Sequence, residues 1–213
     1  MRLKHVKGAH EKIEKSSYVL QNYMDYKGKF NDLFGNDHPI HLEIGMGKGN
    51  FLIENAKRYP EINFIGIEKY DSVMVRAIEK LEEEALPNIR LIRMDARSIE
   101  EVFSKEIDII YLNFSDPWPK DKHEKRRLTS DFYLDKYDLI FKNKAKIIQK
   151  TDNRKLFEFS IKSYVKHHYQ IEDLSLSLHE DDYPLNIMTE YEKKWKERNV
   201  PIYYISVIKW SFT

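Results

Sequence analysis

The chain has 213 residues, 41% hydrophobic and 13% aromatic, which suits one α/β domain with a buried core and excludes a disordered segment. Its 36 Lys and Arg stand against 35 Asp and Glu, so any nucleic-acid contact must be local rather than that of a general polycation. The absence of cysteine excludes disulfides, Cys-ligated zinc, iron–sulfur clusters and Cys nucleophiles, and with no apolar run near the roughly 18 residues of a membrane span and no signal-peptide core in MRLKHVKGAH, a cytoplasmic protein is expected.

Residues 1–38 read as an N-terminal extension. Arg2, Lys4, Lys7, Lys12 and Lys15, with Glu11, Glu14, His5 and His10, are read either as a mobile basic arm over residues 1–15 or as an ordinary solvated terminus. A Tyr- and Phe-rich stretch from Ser17 to Phe34 predicts a helix, closed by a turn at Gly35-Asn36-Asp37. Residues 39–213 form the main domain. There, short apolar runs alternate with longer amphipathic segments, the signature of βαβ units on a parallel sheet. Strands are expected near 40–44, 62–67, 89–93, 107–113 and 145–150, and helices near 49–59, 71–84, 98–102, 130–141 and 153–167. Apolar stretches near 169–177 and 202–210, with no regular helix between them, predict an antiparallel pair at the sheet edge. The polar excursion between them, 179–199, spaces Tyr191 and Trp195 as on one helix face.

The run His41-Leu42-Glu43-Ile44-Gly45-Met46-Gly47-Lys48-Gly49-Asn50-Phe51 is a strand feeding a glycine-rich turn that opens a helix. Such a turn lets a ligand approach the backbone and presents free N–H groups to it. The dinucleotide spacing Gly-x-Gly-x-x-Gly fails, because the glycines stand at 45, 47 and 49. Glu43-x-Gly45-x-Gly47-x-Gly49 is instead the pattern of S-adenosylmethionine enzymes, with a carboxylate suited to the ammonium of an amino-acid cofactor. Glu68, ending the next apolar run, is placed to accept from ribose hydroxyls. Asp95, followed by Ala96 at the end of the third run, is placed beside an adenine amino group, or else caps a helix before Ser98.

The fourth run ends in Asn113-Phe114-Ser115-Asp116-Pro117-Trp118-Pro119-Lys120. Two prolines around a tryptophan fix this backbone and hold Asp116 beside the expected methyl donor. Amino-directed nucleic-acid methyltransferases carry an Asn/Asp-Pro-Pro-aromatic loop there; this chain has Trp in place of the second proline. The following Lys120, Lys122, His123, Lys125, Arg126 and Arg127, interrupted by Asp121 and Glu124, are read either as a solvated face or as a phosphate-binding run beside the reaction centre. Asp152 ends the fifth strand, either as a site residue or as the cap of the next helix. Thr189-Glu190-Tyr191-Glu192 lies in the polar excursion, either as a site segment or as plain helix surface. The histidines show no ligand spacing, and no metal is expected.

These motifs together resemble the bacterial tRNA (guanine-N7)-methyltransferases over nearly the whole chain, most specifically at Asp116-Pro117-Trp118-Pro119-Lys120 and Lys125-Arg126-Arg127. The resemblance implies a Rossmann-like class I fold with seven strands, the last antiparallel, and helices on both faces. It implies S-adenosylmethionine as cofactor, held by Glu43, Gly45, Gly47, Gly49, Glu68, Asp95, Ala96 and Asp116. Asp116 is implied as the catalytic position. Lys120, Asp152, Thr189, Glu190, Tyr191 and Glu192 are implied to meet a guanosine of the tRNA variable loop, and Lys122, His123, Glu124, Lys125, Arg126 and Arg127 to contact the RNA. Glu124 lowers the charge of that run. A monomer and a homodimer both fit. A nicotinamide-dependent dehydrogenase is disfavoured by the failed glycine spacing and the Asp-Pro-Trp-Pro loop, and a non-catalytic RNA-binding protein by the complete set of acids. A DNA or protein methyltransferase is the nearest alternative using the same cofactor.

Overall fold

Every residue of the first strand, β1 (Ile40–Ile44), is buried, which explains an apolar run without alternation: the strand lies mid-sheet with helices on both faces. The computed structural model describes residues 6–210. The other strands are β2 (Asn63–Glu68), β3 (Ile89–Arg93), β4 (Ile109–Asn113), β5 (Lys144–Thr151), β6 (Gln170–Ser175) and β7 (Tyr203–Trp210). The sheet runs β3-β2-β1-β4-β5-β7-β6. β1 to β5 pair in parallel, whereas β7 is antiparallel to both β5 and β6. Mostly parallel order with an antiparallel last strand is as expected from the sequence.

The helices are α1 (Ala9–Lys15), α2 (Phe30–Phe34), α3 (Asn50–Arg58), α4 (Asp71–Glu84), α5 (Ile99–Val102), α6 (Asp131–Ile140), α7 (Arg154–Lys166) and α8 (Glu190–Lys196). One face of the sheet packs Leu52 and Ile53 of α3 and Met74, Ala77, Ile78 and Leu81 of α4 against Phe64, Ile89 and Leu91. The other packs Tyr133, Leu134 and Tyr137 of α6 and Phe157 and Tyr164 of α7 against Leu42, Ile65, Ile110 and Ile147. Gly66 is required by this packing: a Cβ there would overlap Met46 Sδ and Leu52. Among the described residues no helix is long and apolar enough to cross a membrane, and no group of three or more His, Asp or Glu side chains is placed to hold a metal ion.

The N-terminal expectations need two corrections. The arm is ordered from Ala9, because Ala9 and Ile13, four apart, bury one side of α1, while Lys12 reaches Glu82 at 3.2 Å and Glu79 at 3.8 Å on α4. Arg2, Lys4 and His5 of that arm lie outside the described residues. The helix expected over Ser17–Phe34 is not formed. Val19 instead bridges to Leu91 beside β3, a short 3₁₀ turn spans Tyr23–Tyr26, and α2 begins only at Phe30. Gly28, with φ +77°, breaks the run, and the buried carboxylate of Glu106 accepts the Gly28 and Phe30 N–H groups at 2.9 and 3.0 Å. The aromatic residues pack on the core from separate turns, Tyr26 against Phe30 and Phe30 against Phe103, not along one helical stripe.

Candidate active site

The carboxyl ends of β1, β2, β3 and β4 open onto one cavity of about 400 Å³. Of the residues singled out by sequence, Gly45, Glu68, Asp95, Ala96, Asp116 and Arg126 line it, together with Tyr70, Met94, Leu128 and Tyr133 among others. The turn after β1 carries φ values of +75°, +58° and +75° at Gly45, Gly47 and Gly49, a conformation L side chains rarely adopt. Gly49 has no room either, since a Cβ would come within 2.9 Å of Ala77 Cβ on α4.

Glu68 accepts three backbone N–H groups, from Gly47 at 3.2 Å, Lys69 at 2.9 Å and Tyr70 at 3.0 Å. It thus anchors the glycine turn to the end of β2. Burial pushes its pKa up, and these backbone bonds oppose the rise. Asp95 does two things at once: its side chain accepts Arg97 N–H at 3.1 Å, capping a short 3₁₀ turn over Ala96–Ser98, and it lines the cavity.

Glu43, Gly47 and Gly49 do not line the cavity. Glu43 is 2% exposed, two residues before the turn, and accepts Asn113 Nδ2 at 2.9 Å. Its other oxygen and Asn113 Oδ1 are buried without a partner among the described residues, an arrangement that costs stability unless a ligand group completes it. Burial pushes the Glu43 carboxyl from 4.5 up to about 8, with Asn113 and Lys150 pulling the other way. Between those values the folded chain keeps a proton that the unfolded chain releases. This carboxyl therefore makes stability fall as pH rises from 4.5 to 8, by at most ~1.4 kcal/mol per pH unit. Glu43→Gln is expected to be nearly neutral at pH 5 and increasingly more stable than the parent toward pH 8. Chemical unfolding of both proteins across that range checks it; parallel curves would contradict the buried neutral acid.

The loop after β4 places Asp116 exposed at the cavity wall. Phe114 and Trp118 on either side take positive φ, +51° and +42°, a conformation that costs on the order of 1–2 kcal/mol per non-glycine residue. Arg127 holds it: its guanidinium donates to Pro117 O at 3.2 Å and Trp118 O at 3.2 Å and lies 4.3 Å from the Phe159 ring centroid. Arg126 covers the Trp118 ring at 4.9 Å, and His123 meets its edge at 5.6 Å. The basic run is itself a 3₁₀ turn, Asp121–Arg126. Lys120, Lys122, Glu124 and Lys125 are exposed on it. Sequence reading gave Arg127 an RNA contact and missed its bonds to the loop carbonyls. A guanidinium eight residues after the proline of a Trp-Pro pair was the available signal.

The structure brings Asp152 and Tyr191 together. Asn153 caps α7, accepting Leu156 N–H at 2.9 Å, so Asp152 is not the cap. It accepts from Tyr191 Oη at 3.4 Å, and the Tyr191 ring lies 5.0 Å from Phe114 and 5.4 Å from Trp195. Thr189 and Glu192 form a capping box at the start of α8. Glu190 reaches Lys48 of the glycine turn at 2.8 Å and Lys80 at 3.1 Å.

Seven strands in this order with only β7 antiparallel, a glycine turn after β1, and carboxylates at the next two strand ends define a class I methyltransferase. Residues 37–205 match the family model described as "Putative methyltransferase". The tRNA (guanine-N(7)-)-methyltransferase of Lachnoclostridium phytofermentans is 48% identical over 205 residues, covering 95% of this chain and 96% of that one. That of a Geobacillus species is 48% identical over 209 residues, covering 97% and 95%. A solved structure described as an antibiotic-related methyltransferase is alike in fold, with a TM-score of 0.65 at 16% identity over 86% of this chain and 94% of that one. The chain belongs to the tRNA (guanine-N(7)-)-methyltransferase family.

Proposed function

We propose that the protein transfers a methyl group from S-adenosylmethionine to N7 of a guanosine in the variable loop of tRNA, acting in the cytoplasm. The observation that carries this reading is the convergence of Glu68, Asp95 and Asp116, from three strand ends, on one cavity beside a glycine turn. The residues fit the cofactor: carboxylates accept from ribose hydroxyls and an adenine amino group, and Glu43, behind the cavity lining, keeps one unpartnered oxygen that an ammonium would complete, drawing the carboxyl into its ionised form. S-Adenosylmethionine, when bound, supplies an electrophilic methyl on a sulfonium. Gly45, Gly47 and Gly49 shape the turn beside it.

Guanine N7 presents a lone pair and no proton, so its attack requires no general base. The protein's work is placement and charge. Asp116 and Asp152 accept from guanine N1–H and the exocyclic amino group, turning the opposite edge to the methyl. Asp116 also faces the positive charge that develops on the imidazole ring. Tyr191 and Phe114 flank the base, and Thr189, Glu190 and Lys120 border it. Exposed Lys122 and Lys125, with His123 and Arg126, meet RNA phosphates.

Incubating unmodified tRNA with the protein and S-adenosylmethionine, followed by mass spectrometry of the nucleosides, is expected to yield 7-methylguanosine. No methylated nucleoside, or a different one, would refute the reading. For the cofactor, Glu68→Ala removes a charged acceptor and frees the Gly47 N–H. It is expected to weaken S-adenosylmethionine binding by at least ~1 kcal/mol, about fivefold in Kd. Calorimetry decides this, and unchanged affinity would place the cofactor elsewhere.

A further inference from the structure

Lys150, near the end of β5, is a charged residue in a place almost without solvent: its side chain is 4% exposed and that of its partner Glu192 not at all. The ammonium donates to Glu192 Oε2 at 2.9 Å, Asn186 Oδ1 at 2.6 Å and Ile187 O at 2.9 Å, using all three of its protons. Glu192 also accepts Asn186 Nδ2 at 2.7 Å and faces the Thr189 N–H at 3.4 Å. The Lys150 carbonyl accepts Phe114 N–H at 2.8 Å, at the root of the Asp116 loop. One residue therefore joins β5, the Asp116 loop and the segment 186–192. A buried ion pair adds little net stability over apolar packing, but removing one partner strands the other charge. Such a pair is better placed to fix a geometry than to stabilise a fold.

We propose that Lys150 is a positioning residue for the substrate base. It clamps Asn186, Ile187 and Glu192, and so sets Thr189–Tyr191 against Asp152 and Phe114. Glu192 acts as the other half of this latch. The inference rests on the reading that this segment meets guanosine.

Lys150→Met keeps most of the volume and removes the charge. Its affinity for S-adenosylmethionine is expected to stay within about twofold of the parent, while KM for tRNA rises about tenfold or more, as misplacement of a positioning group predicts. Hydrogen exchange should quicken in residues 186–192 and not in β1 to β4. In a Tyr191→Ala background the same substitution is expected to add less than about twofold, because the contact it positions is already gone. A role confined to stability would add in full. Unchanged KM in Lys150→Met, or a fully additive loss on Tyr191→Ala, overturns the proposal. Should Lys150→Met not fold, Asn186→Ala replaces it. That change removes a partner of both charges from a surface segment, and the expected and overturning results are the same. If the parent protein forms no 7-methylguanosine, the functional reading fails and the positioning role falls with it. If the parent forms it and Lys150→Met matches the parent, only the positioning role fails.

Discussion

Asp116→Asn is expected to slow single-turnover methyl transfer on the order of 100-fold, the cost of losing one preorganised electrostatic contact, while the fold and most tRNA binding persist. The backbone of the loop is held from outside the side chain, by Arg127 on the Pro117 and Trp118 carbonyls and by the Phe114 N–H on β5, so an isosteric amide leaves the loop in place. The amide nevertheless offers a donor where guanine already presents donors, and it carries no charge to meet the one that appears on the ring. Because no proton leaves N7, the parent rate should show no ascending limb assignable to a general base near neutrality. Single-turnover transfer from acidic to mildly alkaline pH, with tRNA integrity monitored, reads both points. Full activity in the Asn variant would move the reaction centre. A base-type limb lost on mutation would show that a proton is taken after all.

The basic run should divide into two kinds of residue. Lys122 and Lys125 are exposed, so replacing both with Ala is expected to weaken tRNA binding and reduce the log–log salt slope by about 1.4 to 1.8, at 0.7 to 0.9 per phosphate contact. S-Adenosylmethionine binding should be untouched. Arg127→Ala is expected to behave otherwise. It frees the Pro117 and Trp118 carbonyls and releases a backbone held at positive φ, so transfer should fall with little change in the salt slope. Binding isotherms at several salt concentrations, alongside transfer rates, separate the two. An unaltered slope in the double Lys variant would identify the run as an ordinary solvated face.

The parallel half of the fold was legible because its signals are local. Ile40–Ile44 and Asn63–Glu68 are buried runs ended by a turn or an acid, and α4 spans the expected 71–84. The cavity acids Glu68, Asp95 and Asp116 were legible for the same reason: each ends a strand or lies just beyond one. What escaped depends on distant partners. Lys150 and Glu192 are 42 positions apart, and nothing in either neighbourhood marks them as a buried pair. Glu192 reads from the sequence as part of Thr189–Glu192, a site segment or plain helix surface, and not as the buried partner of a lysine on β5. Likewise, the aromatic residues from Tyr18 to Phe34 look periodic, but Gly28 and the carboxylate of Glu106, far along the chain, decide their path.

The reversed direction of β7 has an evolutionary consequence. Because β6 ends and β7 begins at the carboxyl edge, their link, residues 176–202, leaves and rejoins the sheet on the same side as the cavity. A link of that kind tolerates insertion cheaply, since closing a longer loop costs only about 0.6 kcal/mol per doubling of length. Outside the residues held by Lys150, Lys48 and Lys80, this link can therefore be lengthened or shortened by small genetic steps while β1 to β4 keep their places. A chimera carrying another methyltransferase's link between Ser175 and Tyr203 would have to bring its own partner for the buried Lys150, or lose stability before it gained a new choice of substrate.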